Sequence, residues 1–172
     1  MRQVEVVTYK ETWPEEFESE ALRIHEALDQ IPVYIHHIGS TSVPGLSAKP
    51  VIDLMPVVPK IDEVDTHSEG MQKLGYEAMG AYGIEGRRFF RKGGDRRTHH
   101  VHVFELDSPA AERHLAFREY LRAHPDVASA YGTLKRSLAE TYPEDMESYI
   151  SGKEEWIRTT EERAIRWYRE ER

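Results

Sequence analysis

The chain has 172 residues, 39% hydrophobic and 31% charged, with a formal net charge of −8 and no cysteine. This composition is that of a globular domain with a real core, and the missing cysteines exclude a disulfide framework and thiolate metal sites. No apolar run approaches the ~20 residues of a membrane span, Met1 to Lys10 has no apolar leader segment, and the acidic balance argues against non-specific nucleic-acid binding. One domain over 1–172 and a cytoplasmic location are therefore expected.

Pro14 to Gln30 predicts a helix: proline suits the first turn, Glu15 and Glu16 suit the positive end of the dipole, and Phe17, Ala21, Ile24 and Leu28 form one stripe. Val33 to Ile38 predicts a short strand. Gly39-Ser40-Thr41-Ser42 follows as a small-residue turn. Val51 to Val58 is almost wholly apolar, as in a strand covered on both faces. Ile61 to Leu74 predicts a helix closed near Gly75, and Tyr76 to Met79 starts another strand. Arg87 to Arg91 and Thr98 to Leu106 predict paired strands around the Gly93-Gly94-Asp95 turn. From about residue 109 the chain turns helical. Ala110 to Ala123, Asp126 to Thr141 and Glu144 to Glu171 are separated by Pro125 and Pro143.

Several residues are candidates for chemistry. Glycine permits close backbone approach, and free N–H groups at a turn can bind phosphate, with hydroxyls from Ser40, Thr41 and Ser42 beside them; the same residues also suit a plain turn. Asp53 stands among apolar neighbours, where a carboxylate needs a partner. It is either a buried ion pair or directed at a ligand or metal. Alternation puts His100 and His102 on one strand face, able to hold a divalent metal, contact phosphate or move a proton, or else facing solvent. Lys49 is a candidate phosphate contact. Residues 85 to 97 hold Arg87, Arg88, Arg91, Lys92, Arg96 and Arg97 against Glu85 and Asp95, either an anion site or a solvated hairpin. On a strand, Arg87 and Arg91 share one face and Arg88 takes the other. Tyr131 and Lys135, an i, i+4 pair, read as packing residues.

From about Tyr9 to Tyr168 the chain resembles the GrpB family (UPF0157), within the nucleotidyltransferase superfamily. The most specific stretch is His37-Ile38-Gly39-Ser40-Thr41-Ser42-Val43-Pro44-Gly45-Leu46-Ser47-Ala48-Lys49-Pro50-Val51-Ile52-Asp53, supported by the histidine strand and by Phe117-Arg118-Glu119-Tyr120-Leu121. The resemblance implies an α/β (α+β) fold: a nucleotidyltransferase-like mixed sheet with helices packed on it and a helical C-terminal third. It also implies a nucleotide or other phosphorylated ligand, and a link to coenzyme metabolism through a related domain fused to dephospho-CoA kinase. In active superfamily members Gly-Ser opens the nucleotide corner and two carboxylates one residue apart bind Mg²⁺. Gly39, Ser40 and Asp53 match, but Met55 stands where the second acid belongs, and methionine does not bind Mg²⁺. Either Asp53 joins His100 and His102 around Zn²⁺ or Mn²⁺, or the site binds a nucleotide-like anion without transfer. A non-catalytic interaction or chaperone-like module and a metal-dependent hydrolase are the alternatives.

Overall fold

A computed structural model describes residues 3–171. The chain is α+β, with a five-stranded mixed sheet and six helices among the described residues. None of these helices is long and apolar enough to cross a membrane. The described residues divide into two compact units, one of residues 12–38 and 51–111 and the other of residues 3–11, 39–50 and 112–171.

The first unit contains the sheet. Its elements are α1 (Trp13–Ala27), β1 (Tyr34–Ile38), β2 (Ile52–Val58), α2 (Asp62–Asp65), α3 (Ser68–Lys73), β3 (Glu77–Ala78), β4 (Arg88–Lys92) and β5 (His99–Glu105), with strand order β1-β2-β5-β4-β3. Only β2 and β5 run parallel; the other pairs are antiparallel. The continuous apolar run of β2 is explained by its place inside the sheet, where Ile52, Leu54, Met55 and Val58 are all buried. The pairing of Ile38 with Asp53, Asp53 with His100, and His100 with Arg91 sets the faces. One face therefore carries Asp53, Met55, His100, His102, Phe89 and Arg91, and the other Leu54, Val101, Phe90, Arg88 and Lys92.

The second face receives α1. Phe17 stacks on His37, with centroids 4.7 Å apart and planes within 5°. Ile24 and Leu28 are fully buried along the predicted stripe. Glu20, only 1% exposed, accepts from Tyr76 Oη, from Lys92 Nζ at 2.5 Å and from Arg23 Nη1 at 3.0 Å. This network fastens α1 to β4 and the chain before β3.

The helix expected over 61–74 is broken. Thr66 Oγ1 donates to the Glu63 carbonyl at 2.8 Å, while His67 Nδ1 and Nε2 reach the carbonyls of Glu63 and Asp29 at 3.1 and 2.8 Å. Side chains competing for backbone carbonyls divide it into α2 and α3.

The second unit holds the 3₁₀ turn Ser40–Ser42, a Val7–Ala48 bridge, α4 (Pro109–Ala123, from Glu112 onward), α5 (Pro125–Thr141) and α6 (Met146–Glu171). Its core joins Val43 and Leu46 to Leu121, Ala128 and Tyr131, with Phe117, Trp156 and Ile157 against them. Tyr131 stacks on Trp156 at 4.6 Å. On α6, Tyr149, Thr160 and Ala164 are buried.

Candidate functional site

In the sheet unit, β2 and β5 run side by side and present Asp53 between two histidines. His102 Nε2 lies 3.0 Å and His100 Nδ1 3.6 Å from the same Asp53 Oδ1. The side chains are 26%, 13% and 17% exposed for Asp53, His102 and His100, so they are sheltered but reachable. Burial pushes the Asp53 carboxyl upward; the hydrogen bonds from His100 and His102 lead the effects that outweigh this and hold it far below the carboxylate range.

Each histidine also meets an arginine on its far nitrogen. Arg87 Nη1 is 3.3 Å from His102 Nδ1, and Arg97 Nη1 is 3.5 Å from His100 Nε2. A guanidinium only donates. The far nitrogens therefore accept, and N–H groups face Asp53. The order is Arg87–His102–Asp53–His100–Arg97, with Phe89 packed on both imidazoles at 5.2 and 5.4 Å.

The remaining arginines have other work. Arg87 is buried and also donates to the carbonyls of Ala81 and Tyr82 at 3.2 and 2.9 Å. Arg91 donates to Glu77 at 2.5 Å and to Tyr82 Oη at 3.3 Å. Arg88 does not join Asp53: the pleat sends it to the opposite face, where it holds Asp65 bidentately at 2.7 and 3.1 Å. Arg97 lay in the basic stretch without a role. Its i, i+3 spacing to His100 was the available signal.

In the helical unit, Gly39 opens the turn with φ 73° and ψ −177°, a conformation essentially confined to glycine. Ser42 closes it, its amide and hydroxyl both donating to the Gly39 carbonyl, at 3.1 and 2.5 Å. Thr41 is buried beside it. Lys135, 2% exposed, donates to Ser40 Oγ at 2.7 Å and lies 4.2 Å from the Tyr131 ring centroid. A packing role had been expected of Lys135; its partner is 95 residues earlier in the chain, beyond the reach of helical spacing. Arg122 donates from Nε and Nη2 to the Ser42 carbonyl at 2.9 and 2.8 Å. Lys49 stands 5.5 Å over the Tyr149 ring, which Lys153 approaches at 4.7 Å.

The family model for the GrpB protein matches residues 3–163. The chain belongs to the GrpB family. It is 49% identical over 166 residues to the UPF0157 protein YqkA of Bacillus subtilis, covering 96% of this chain but only 48% of YqkA. The crystal structure of the conserved protein GrpB from Enterococcus faecalis is 43% identical, with a TM-score of 0.92 over 96% of this chain and all of that one. The Cid1 poly(U) polymerase shares the fold at 14% identity, with a TM-score of 0.55 over 77% of this chain and 44% of Cid1. A dephospho-CoA kinase of Mycolicibacterium paratuberculosis is 25% identical over 90% of this chain and 44% of its own length.

The Mg²⁺ chemistry implied by the sequence resemblance requires clustered carboxylate oxygens, and the residues present do not fit it. Asp53 is the one acid in the Arg–His–Asp–His–Arg array, and Met55 is fully buried. The imidazoles turn N–H groups, not lone pairs, toward Asp53. Among the described residues no group of three or more His, Asp or Glu side chains is disposed to hold a metal ion.

Proposed function

We propose that this GrpB-family protein binds a nucleotide or similar phosphorylated molecule, with the phosphate received at the Gly39–Ser42 turn. The carrying observation is Lys135, a buried ammonium whose Nζ is 2.7 Å from Ser40 Oγ. A lysine at a turn held in a glycine-only conformation suits a ligand clamp. The superfamily fold and the similarity to a dephospho-CoA kinase both support a nucleotide-like ligand. The test is calorimetry of the protein with a panel of nucleoside triphosphates and coenzyme A precursors, in chelator and in Mg²⁺. Binding by at least one compound, persisting in chelator, is expected. No binding by any would overturn the proposal.

A second reading concerns the sheet unit. The Arg87–His102–Asp53 chain orients one imidazole through both of its nitrogens, as proton-transfer centres require. This favours a hydrolytic or transfer step over a purely structural module. Loss of phosphate release or transfer in Asp53→Asn, with nucleotide binding retained, is the outcome it requires.

A further inference from the structure

The helical unit contains a second feature, independent of the Ser40 and Lys135 reading. A cavity of about 530 Å³ lies between the 43–47 loop, the end of α4 and the first turns of α5. This volume is within the range of small-molecule pockets. Val43, Leu46, Leu121 and Ala128 give it apolar walls. Its charged lining residues are Arg122 and Arg136, and none is acidic.

The two guanidiniums are incompletely neutralised. Arg136 donates from Nη1 to Ser47 Oγ at 2.7 Å and from Nη2 to Thr133 Oγ1 at 3.4 Å, both neutral acceptors. Arg122 uses two N–H groups on the Ser42 carbonyl, and its Nη1 is 3.5 Å from Glu119, which Arg118 holds more closely at 2.7 Å. Burial and the Arg118 charge pull the Arg122 guanidinium below its ordinary value, with Glu119 opposing. Two arginines over apolar walls, with Ser47 and Ser129 also in the lining, match an oxyanion carried on a compact apolar body.

Gly132 lines this space. A Cβ there would stand 3.4 Å from Leu46 Cδ1 and 3.6 Å from Arg136 Nη1. Glycine in a helix interior is otherwise disfavoured against alanine, so its place beside the cavity is consistent with a need for room.

We propose that this cavity is a binding site for a small organic oxyanion, a carboxylate or phosphate monoester with an apolar body, held by Arg136 and Arg122. The experiment is amide NMR of the full chain titrated with phenyl phosphate, benzoate and neutral benzamide. At least one anion is expected to shift Leu46, Ser47, Ala128, Ser129 and Gly132 saturably, and benzamide is not. Arg136→Met should weaken anion binding about tenfold or more. Should Arg136→Met fail to fold, Gly132→Ala replaces it, since alanine favours the helix while its methyl enters the cavity. Lys73→Ala, which removes an exposed charge on α3, should bind as the wild type does. Absence of saturable shifts with both anions, equal shifts from benzamide, or wild-type affinity in the folded cavity variant would overturn the proposal. Titration with the nucleotides of the preceding section distinguishes the two sites, because loss of that binding leaves these shifts unaffected.

Discussion

His102 on β5 places Nε2 3.0 Å from Oδ1 of Asp53 on β2. The bond joins residues 49 positions apart across the parallel β2–β5 ladder. Because Arg87 donates to the other nitrogen, the tautomer is specified: His102 carries its proton on Nε2. For His100 the Arg97 contact specifies the reverse, a proton on Nδ1.

Long-range nitrogen–proton NMR of the histidine rings checks this. His102 is expected as the Nε2–H form and His100 as the Nδ1–H form. Arg87→Met should release His102 into a tautomer mixture without unfolding the protein. A single Nδ1–H form at His102 in the wild type would show that the array is oriented otherwise.

Glu20 makes the acid stability of the sheet unit predictable. Burial raises its pKa, but hydrogen bonds from Lys92 and Tyr76 and the charges of His99 and Lys92 more than offset this, so the folded value is lowered. A carboxylate depressed in the folded state stabilises above its unfolded pKa, and that contribution fades as pH falls toward the folded value. Glu20→Gln should lower stability at pH 7 by about 2–4 kcal/mol, since Lys92 is left without its anion. Urea unfolding from pH 7 to 3 should show a shallower decline for the variant than for the wild type. Parallel curves would exclude this role for Glu20.

Much of this architecture was legible in the sequence, for identifiable reasons. The apolar run of β2, the Gly93-Gly94-Asp95 turn, the proline that opens α5 and the one before α6 are local signals, and the observed elements fall at or within two or three residues of the expected bounds. The alternation that separated Arg88 from Arg87 and Arg91 is likewise local, and the pleat realises it. Lys135 was not legible, because a lysine four residues after a tyrosine looks like any helix surface and its meeting with Ser40 depends on the tertiary fold. Nor was the division between α2 and α3, where the carbonyl that Thr66 and His67 share is a local competitor but Asp29 is a distant one. Asp53 needing partners was readable from burial chemistry; that arginines would stand behind both histidines was not.

Gly39 should tolerate no side chain. Its φ of 73° with ψ of −177° is strained for any L-residue, so Gly39→Ala is expected to cost about 1–3 kcal/mol. In a chain of this size that lowers Tm by roughly 2–12 °C. Thermal unfolding by calorimetry measures it, and an unchanged Tm would mean the turn relaxes into another conformation at no cost.

Ser40→Ala should weaken nucleotide binding less than Lys135→Met. The serine variant removes one neutral hydroxyl, worth about 0.5–1.5 kcal/mol, whereas the lysine variant removes a charged donor worth about 1.5–3 kcal/mol. Titrations of both variants with the tightest nucleotide give the order directly. The reverse order, with both variants folded, would assign phosphate contact to the hydroxyl and leave Lys135 a packing role.

In the function proposed above, phosphate is the group that the Gly39–Ser42 turn and Lys135 recognise. Side-by-side calorimetric titration of the wild type with the tightest nucleotide and with its dephosphorylated nucleoside tests it most directly. The nucleoside is expected to bind at least about a hundredfold more weakly, the loss of roughly two charge-assisted hydrogen bonds. Equal affinity for nucleotide and nucleoside would contradict it.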